Sequence, residues 1–133
     1  MTLGGDPKYK DRAVIGFVEP VICITDHKET VVLARIDSGA TRSSIDVHLV
    51  DELGLGPYKG ERTVKNAHGY SSRKLIEVTI ELAGKTYTEL FTVANRKHMK
   101  FPILIGGNIL TKGFLIDPNK KASTLQIREE ETE

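Results

Sequence analysis

The sequence has little of what anchors several common protein classes. Its 133 residues include one cysteine and no tryptophan, and aromatic residues make up 6%. A single cysteine excludes an internal disulfide and a zinc site built from several cysteines. No apolar run approaches the roughly 20 residues of a membrane-spanning helix. The polar first dozen residues also lack the apolar stretch of a signal peptide. These absences predict a cytoplasmic protein with no membrane partner.

An excess of charge of either sign is also missing. Lysine and arginine number 19 against 18 acids, which gives a net charge of +1, so a nucleic acid or an anionic membrane is a poor candidate partner. The length and the hydrophobic content of 39% suit one domain with one core. We expect a flexible N-terminal arm at residues 1–12, a single domain at 13–128 and an acidic tail at 129–133.

Short runs rich in β-branched residues predict a protein built of strands. In the run 75–82, four apolar side chains alternate with polar ones and therefore share one face of a strand. The turn Ala83-Gly84-Lys85 then predicts a hairpin with the following run. The predicted strands are 14–18 and 21–25 (on either side of Glu19-Pro20), 31–36, 75–82, 86–94, 103–105, 114–116 and 124–128.

Helical patterns are scarce. Ser44 is a candidate cap for a short helix at about 46–53 that ends at Gly54, and residues 108–112 can form one further turn. Many short strands with glycine-rich turns favour an all-β fold in which an antiparallel sheet closes or folds over on itself.

Two segments are candidates for chemistry. In the first, an apolar strand delivers Asp37 to the turn Asp37-Ser38-Gly39-Ala40, where glycine permits close backbone approach and a hydroxyl offers a hydrogen bond. In the second, the apolar run 102–105 breaks at Gly106-Gly107 into the candidate helical turn. From local sequence alone, Asp37 is equally well interpreted as a turn acid that bonds its own backbone.

These two segments, in this order and about 70 residues apart, resemble the half-molecule of retropepsin-like aspartic proteases over residues 31–115. The sequences MKFPILIG and FLIDP extend the resemblance, over residues 14–118, to a bacterial and archaeal family known as ATP-dependent zinc proteases. Some members of that family accompany a glutamate ligase that modifies a ribosomal protein. The resemblance implies a retropepsin-like acid-protease half-barrel with one or two short helices, forming a two-fold homodimer.

The residues argue against both halves of that family name. The four histidines (27, 48, 68 and 98) have no ligand spacing, and no His-Glu-x-x-His or paired cysteine is present. A phosphate-binding loop with Lys-Ser/Thr is also missing. We therefore expect no metal and no cofactor.

The resemblance assigns catalysis to Asp37 with support from Ser38 and Gly39. Aspartic proteolysis needs two carboxyl groups that share a proton, and the sequence has one such turn, so the second Asp37 has to come from a partner chain. Ala40 would line the cleft floor. The segment 62–73 would be the flap over a peptide or protein substrate, with Ala67, His68 and Gly69 at its substrate-binding tip.

Other side chains with reactive or charged groups receive plainer interpretations. Cys23 lies in an apolar run and is interpreted as a small buried hydrophobe. Ser38 lacks the surroundings of a serine nucleophile. Arg35, Arg42, Arg96 and Lys97 are interpreted as surface charges, one of which could meet an acidic substrate.

The sequence and its resemblance thus predict an aspartic endopeptidase. Two alternatives with the same fold remain open: an amide or isopeptide hydrolase acting on glutamyl tails, and a non-catalytic dimeric peptide-binding module.

Overall fold

The structure, a computed structural model, describes residues 6–123 of the chain. Within this range, no helix is long and apolar enough to cross a membrane. The strands are β1 (Ala13–Ile15), β2 (Val18–Ile24), β3 (Glu29–Ile36), β4 (Ser44–Asp46), β5 (Gly60–Asn66), β6 (Gly69–Leu82), β7 (Lys85–Ala94), β8 (Ile103–Ile105) and β9 (Phe114–Ile116). The helices are α1 (Val47–Leu53), α2 (Gly107–Leu110) and a short 3-10 helix at Pro7–Tyr9.

Six strands form a closed barrel. Their order is β2-β3-β8-β4-β7-β6, and a second pairing between β2 and β6 joins the two ends, while β5 extends outward from β6. Strands β1 and β9 form a separate parallel pair. The expected all-β closed fold with two short helices is confirmed.

The expectation of a purely antiparallel sheet is wrong. Strand β3 pairs with β8 in parallel, and β4 pairs with β7 in parallel. Parallel neighbours need a long crossover connection, and here each pair joins segments far apart in the chain. Local periodicity carries no information about such pairings.

The barrel interior is filled by the alternating side chains that the sequence indicated. Ile76, Val78, Ile80 and Leu82 of β6 are all buried. They pack in one core cluster with Phe91 and with apolar residues of the other strands and of both helices. This burial of one strand face is the main apolar stabilisation of the barrel.

Strand β2 runs through the Glu19-Pro20 dipeptide, where a break was expected. Pro20 pairs with Leu33 of β3, whereas β6 reaches β2 only at Ile22 and Cys23. Pro20 therefore lies where β2 has a partner on one side only, and a proline without an N–H group is tolerated at such an edge.

Helix α1 begins one position after its true cap, Asp46, whose carboxylate accepts the His48 amide N–H at 3.1 Å. The prediction of Ser44 as the cap is wrong, because Ser44 lies in the buried strand β4. Gly54 ends the helix in the left-handed conformation with φ 67°, as its position predicted. The predicted second turn is confirmed as α2.

Two hairpins have tight turns. Ala83 and Gly84 both have positive φ angles (52° and 82°), which is the geometry of a two-residue hairpin turn. The β5–β6 hairpin closes with Asn66 paired to Gly69, so the predicted flap segment is a hairpin. The predicted strand at 124–128 and the acidic tail lie outside the described residues.

A buried carboxylate anchors the segment that follows β9. Glu19 is 2% exposed, and its oxygens accept hydrogen bonds from the Gly16 amide at 2.8 Å, the Lys120 ammonium at 2.8 Å and the Ser123 amide at 3.0 Å. Burial raises the pKa of Glu19, but these hydrogen bonds outweigh it and hold the pKa below its ordinary value. The ionised carboxylate is therefore the stable form in the folded protein.

We expect Glu19→Gln to destabilise the fold by roughly 2 kcal/mol at neutral pH, because a charged acceptor of three donors is lost. Since the folded-state pKa is lowered, the stabilisation is complete above the unfolded-state pKa and is lost as the pH falls through the folded-state pKa. Urea unfolding at several pH values measures both effects.

The matched control is Glu61→Gln, which removes an exposed carboxylate paired with Lys74 at 3.3 Å. We expect little change from it. Equal losses in the two variants, or a Glu19→Gln deficit that persists unchanged in acid, would contradict the assigned role of Glu19.

Candidate active site

The carboxylate of Asp37 lies at the end of β3, held by backbone contacts on both sides of the residue. The Asp37 amide donates to the Ile105 carbonyl of β8 at 2.9 Å. Its side-chain Oδ1 accepts the Gly39 amide at 2.9 Å. This second bond is the local turn contact considered from sequence, and it fixes the direction in which the partly buried carboxylate points.

A hydrogen-bond network of side-chain and backbone groups from four residues supports the turn. The Ser43 hydroxyl donates to Asn108 Oδ1 at 2.8 Å and accepts the Gly106 amide at 3.0 Å. Asn108 Oδ1 also accepts the Ser43 amide at 2.9 Å, and its Nδ2 donates to the Leu90 carbonyl at 3.0 Å. Asn108, on α2, therefore ties the end of the Asp37 loop to β7.

Glycine is required where α2 approaches the Asp37 loop. A Cβ atom on Gly106 would lie 2.8 Å from the Arg42 carbonyl and 2.9 Å from the Ala40 carbonyl oxygen. These contacts are with backbone, which cannot move aside as a flexible side chain would. The apolar strand that breaks on two glycines thus packs directly beneath the loop, as the resemblance implied.

The amides of the glycine segment are already used within the protein. Gly107 donates to the Ala40 carbonyl at 2.7 Å, and Asn108 donates to the Thr41 carbonyl at 3.0 Å. These N–H groups hold the Asp37 loop, so they are not available as a phosphate cradle.

A cleft of about 550 Å³ lies between this loop and the β5–β6 hairpin. Five cationic side chains line it, and none of the described lining residues is an acid. The lining residues are Gly39, Ala40, Thr41, Arg42, Ser44, Arg62, Thr63, Val64, Lys65, Arg73, Thr92, Arg96 and Leu104. We refer to this space as the cationic cleft.

Arg96 is fixed within the cleft wall. Its Nε donates to the Phe101 carbonyl at 3.0 Å, and its amide donates to Asp46 Oδ1 at 2.7 Å. Burial lowers the pKa of Arg96, Asp46 and Asp37 act to raise it, and the cations Arg73 and Arg35 lower it further. Arg96 is therefore a positioned cation within electrostatic range of Asp37, and its interpretation as a plain surface charge is wrong.

Asp46, whose carboxylate accepts the Arg96 amide, has further hydrogen-bond donors. Asp46 also accepts the His48 ring Nδ1 at 3.1 Å. Burial raises the pKa of Asp46, but hydrogen bonds from Arg96 and His48, together with the charge of His48, lower it below its ordinary value. An ionised Asp46 thus holds one wall of the cleft.

Two polar atoms in the cleft wall have no hydrogen-bond partner among the described residues: Arg42 Nε and Ser44 Oγ. Ser44 is only 7% exposed. Because buried polar atoms are nearly always paired, an unpaired hydroxyl and an unpaired guanidinium nitrogen in one cleft lining are suited to an acceptor oxygen from a ligand.

The structure brings together some of the predicted site residues. Ser38 and Gly39 are exposed beside Asp37, and Ala40 is partly buried in the cleft wall. A Cβ on Gly39 would lie 3.3 Å from Asp37 Oδ1, so glycine there keeps the carboxylate unobstructed.

The predicted flap-tip residues lie at the end of a hairpin, as expected, but do not line the cleft. Ala67, His68 and Gly69 form the end of the β5–β6 hairpin, outside the residues that line the cleft. The hairpin contributes the segment 62–65 and Arg73 to the cleft instead. Sequence reasoning also missed Ser43 and Asn108, whose only signal was their position close to the two motifs.

Residues able to bind a metal do not converge in the described range. Among residues 6–123, no three His, Cys, Asp or Glu side chains form a group that could hold a metal ion. Cys23 is buried, and burial raises the pKa of its thiol to about 12. The thiol is therefore neutral at physiological pH and serves as part of the core.

Solved structures with the same fold include retroviral and bacterial proteins. The protein Lpg0085 from Legionella pneumophila, of unknown function (DUF785), has a TM-score of 0.58 at 19% identity, covering 84% of this chain and 97% of its own. EIAV protease in complex with the inhibitor HBY-793 has a TM-score of 0.57 at 18% identity, covering 80% and 91%. A retropepsin-like aspartic protease from Rickettsia conorii has a TM-score of 0.56 at 20% identity, covering 76% and 83%. At these identities the similarity establishes the fold, which confirms the predicted retropepsin-like half-barrel.

No curated protein matches the chain. A profile of the RimB-like family, described as retropepsin-like aspartic endopeptidase RimB, matches residues 57–128. This span covers just over half of the chain and includes the β5–β6 hairpin, the glycine segment and Asn108, although it begins after Asp37. The chain therefore belongs to the RimB-like family of retropepsin-like aspartic endopeptidases.

Proposed function

We propose that this protein is an aspartic endopeptidase in which Asp37 of two chains forms the catalytic dyad. The observation that carries the proposal is the supported turn: Asp37 is fixed by Ile105 and Gly39, and Gly39 and Ala40 of the same turn line a cleft of about 550 Å³. Family membership supports the same reaction class.

The chemistry requires two carboxyl groups with different protonation states. One ionised Asp37 takes a proton from a water molecule as the water oxygen attacks the peptide carbonyl carbon. The other, protonated, donates to the carbonyl oxygen. When the tetrahedral intermediate collapses, the C–N bond breaks and the amine leaves with a proton. Because the chain contains one such turn, the dyad needs a homodimer.

The neighbouring residues then have separate supporting roles. Ser38 would hydrogen-bond across the dimer interface and keep the two turns level, while Gly39 and Ala40 leave room for substrate. Ala67, His68 and Gly69, at the end of the β5–β6 hairpin, would contact substrate as that hairpin closes and excludes water.

We expect Asp37→Asn to lower kcat by about 10³-fold or more while the fold is kept. The amide oxygen of asparagine can still accept the Gly39 N–H, so only the titrating group is lost. Peptide hydrolysis and thermal unfolding of the purified variant measure the two effects.

EDTA should leave the wild-type rate unchanged, because no step uses a metal.

Asp117→Asn is the matched control. Asp117 Oδ1 accepts the Asn119 amide at 2.9 Å in the same local geometry, but it lies outside the cleft lining. Normal hydrolysis by Asp37→Asn, or loss of wild-type activity in EDTA that zinc restores, would assign the chemistry to other groups.

A second candidate function has one specific observation in its favour. The cationic cleft carries five positive side chains, which suits an amide or isopeptide hydrolase acting on glutamyl tails better than a peptidase for neutral peptides. Clefts lined by one sign of charge concentrate ligands of the other sign. The same Asp37 dyad would perform the hydrolysis.

We expect peptides rich in glutamate to be hydrolysed with kcat/KM about tenfold above matched glutamine peptides at low salt. The preference should shrink in about 0.5 M salt, because screening shortens the range of the cleft charges. Arg73→Gln should reduce the preference, whereas Lys85→Gln, on the β6–β7 turn, should preserve it. Equal rates for the two peptide series at low salt would refute this second function.

A further inference from the structure

Among the described residues that line the cationic cleft, the positive charges are not balanced by negative ones. Arg42, Arg62, Lys65, Arg73 and Arg96 line one space without an acid among the described lining residues. Arg96 lies within electrostatic range of Arg73, and a ligand of opposite sign is attracted by all five cations that line the space. The cleft therefore favours an anionic occupant.

Ser44 and Arg42 indicate the kind of anion. Ser44 Oγ is buried without a hydrogen-bond partner, and Arg42 Nε is likewise unpartnered, although both residues line the cleft. A hydroxyl and a guanidinium N–H are both donors to a carboxylate oxygen, and both residues line the same cleft. These orphaned donors form a built site, which scattered surface lysines would not provide.

The chain itself contains a segment of the required chemistry. Residues 128–133 read REEETE, with four glutamates and no apolar side chain. The 18 acids of the chain are otherwise spread along the sequence. This segment therefore provides the densest run of carboxylates that the cleft could bind without a second molecule.

The end of the described chain is within reach of the cleft. The Ser123 amide bonds the Glu19 carboxylate, Glu19 pairs with Ala34 across β2 and β3, and Ala34 precedes Asp37 by three residues. With about 5 Å between strands and about 3.3 Å per residue along them, this path is about 20–25 Å long. An extended chain from Ser123 places Glu129 at about 20 Å, Glu130 at about 23 Å and Glu133 at about 33 Å. The later glutamates of the segment can therefore reach the Asp37 end of the cleft of their own chain.

We propose that the acidic segment 129–133 binds in the cationic cleft of its own chain, with glutamate carboxylates on Arg42 and Ser44. The segment then competes with any other acidic ligand for the same donors. This is a binding equilibrium that holds whether or not Asp37 is catalytic, and it can be measured without substrate turnover.

The test uses the full chain in which Glu129, Glu130, Glu131 and Glu133 are all replaced by glutamine. The probe is a fluorescein-labelled peptide with the sequence of residues 128–133, titrated at about 20 mM salt. If the tethered segment has an effective concentration near 1 mM and the peptide a Kd near 0.1 mM, the glutamine variant should bind the probe about tenfold more tightly than wild type. The difference should vanish at about 0.5 M salt.

Three variants control the assignment. Asp51→Asn with Glu52→Gln neutralises two exposed acids on α1 and should leave probe binding as in wild type. Arg42→Gln should abolish tight binding in the background of the glutamine variant. Lys65→Gln, an exposed cleft residue, should weaken it and serves if Arg42→Gln fails to fold.

Equal probe affinity for the wild type and the glutamine variant at low salt would overturn the proposal. A wild-type deficit that grows with protein concentration would also overturn it, because the competitor would then be the acidic segment of another molecule.

Amide NMR shifts give a second readout. The wild type and the variant should differ at Arg42, Ser44 and Arg96 at low salt, and shift differences confined to residues 124–133 would contradict binding.

Discussion

The hydrogen bonds between Ser43 and Asn108 are the contact on which the site depends. They join the loop that carries Asp37 to a glycine segment more than 60 residues later in the chain, and Gly106 completes the set through the same hydroxyl. Because a buried network of this kind is stable only when each member is satisfied, the position of the Asp37 loop depends on Ser43 and Asn108 as well as on Ile105 and Gly39, which bond Asp37 directly. The pairings of β8 with β3 and with β4 bring these two segments together.

Electrostatics adds a second constraint to the same space. Asp46 is ionised and accepts the backbone amide of Arg96. This hydrogen bond positions Arg96 in the cleft wall and leaves its guanidinium free of a direct ion pair with Asp46. Three of the other cations, Arg62, Lys65 and Arg73, lie on the β5–β6 hairpin, whereas Arg42 lies in the loop before β4. The Asp37 loop and most of the positive charge of the cleft therefore belong to different parts of the fold. This separation lets substrate preference change through the hairpin without disturbing Asp37.

Much of the barrel could be predicted because its signals are local. The alternation in β6 identified the buried face, Ala83-Gly84 identified a hairpin, and Asp37-Ser38-Gly39 identified the candidate acid. The missed features depend on tertiary contacts. The predicted break at Pro20 is wrong because an edge position tolerates proline. The prediction of Ser44 as a cap is wrong because Ser44 is buried in β4, and that burial comes from pairing with β7 and β8, which local sequence does not reveal. Arg96 looks like any surface charge until the fold places it beside Asp46.

The central claim is that catalysis needs Asp37 from two chains at once. Its most direct test mixes wild-type protein with Asp37→Asn at constant total concentration, after partial unfolding and refolding so that subunits exchange. If both carboxylates are needed, only wild-type pairs hydrolyse peptide, and activity follows the square of the wild-type fraction, with about a quarter left at an equal mixture. Activity that falls in simple proportion to the wild-type fraction, with about half left, would show that each chain acts alone and would contradict the dyad.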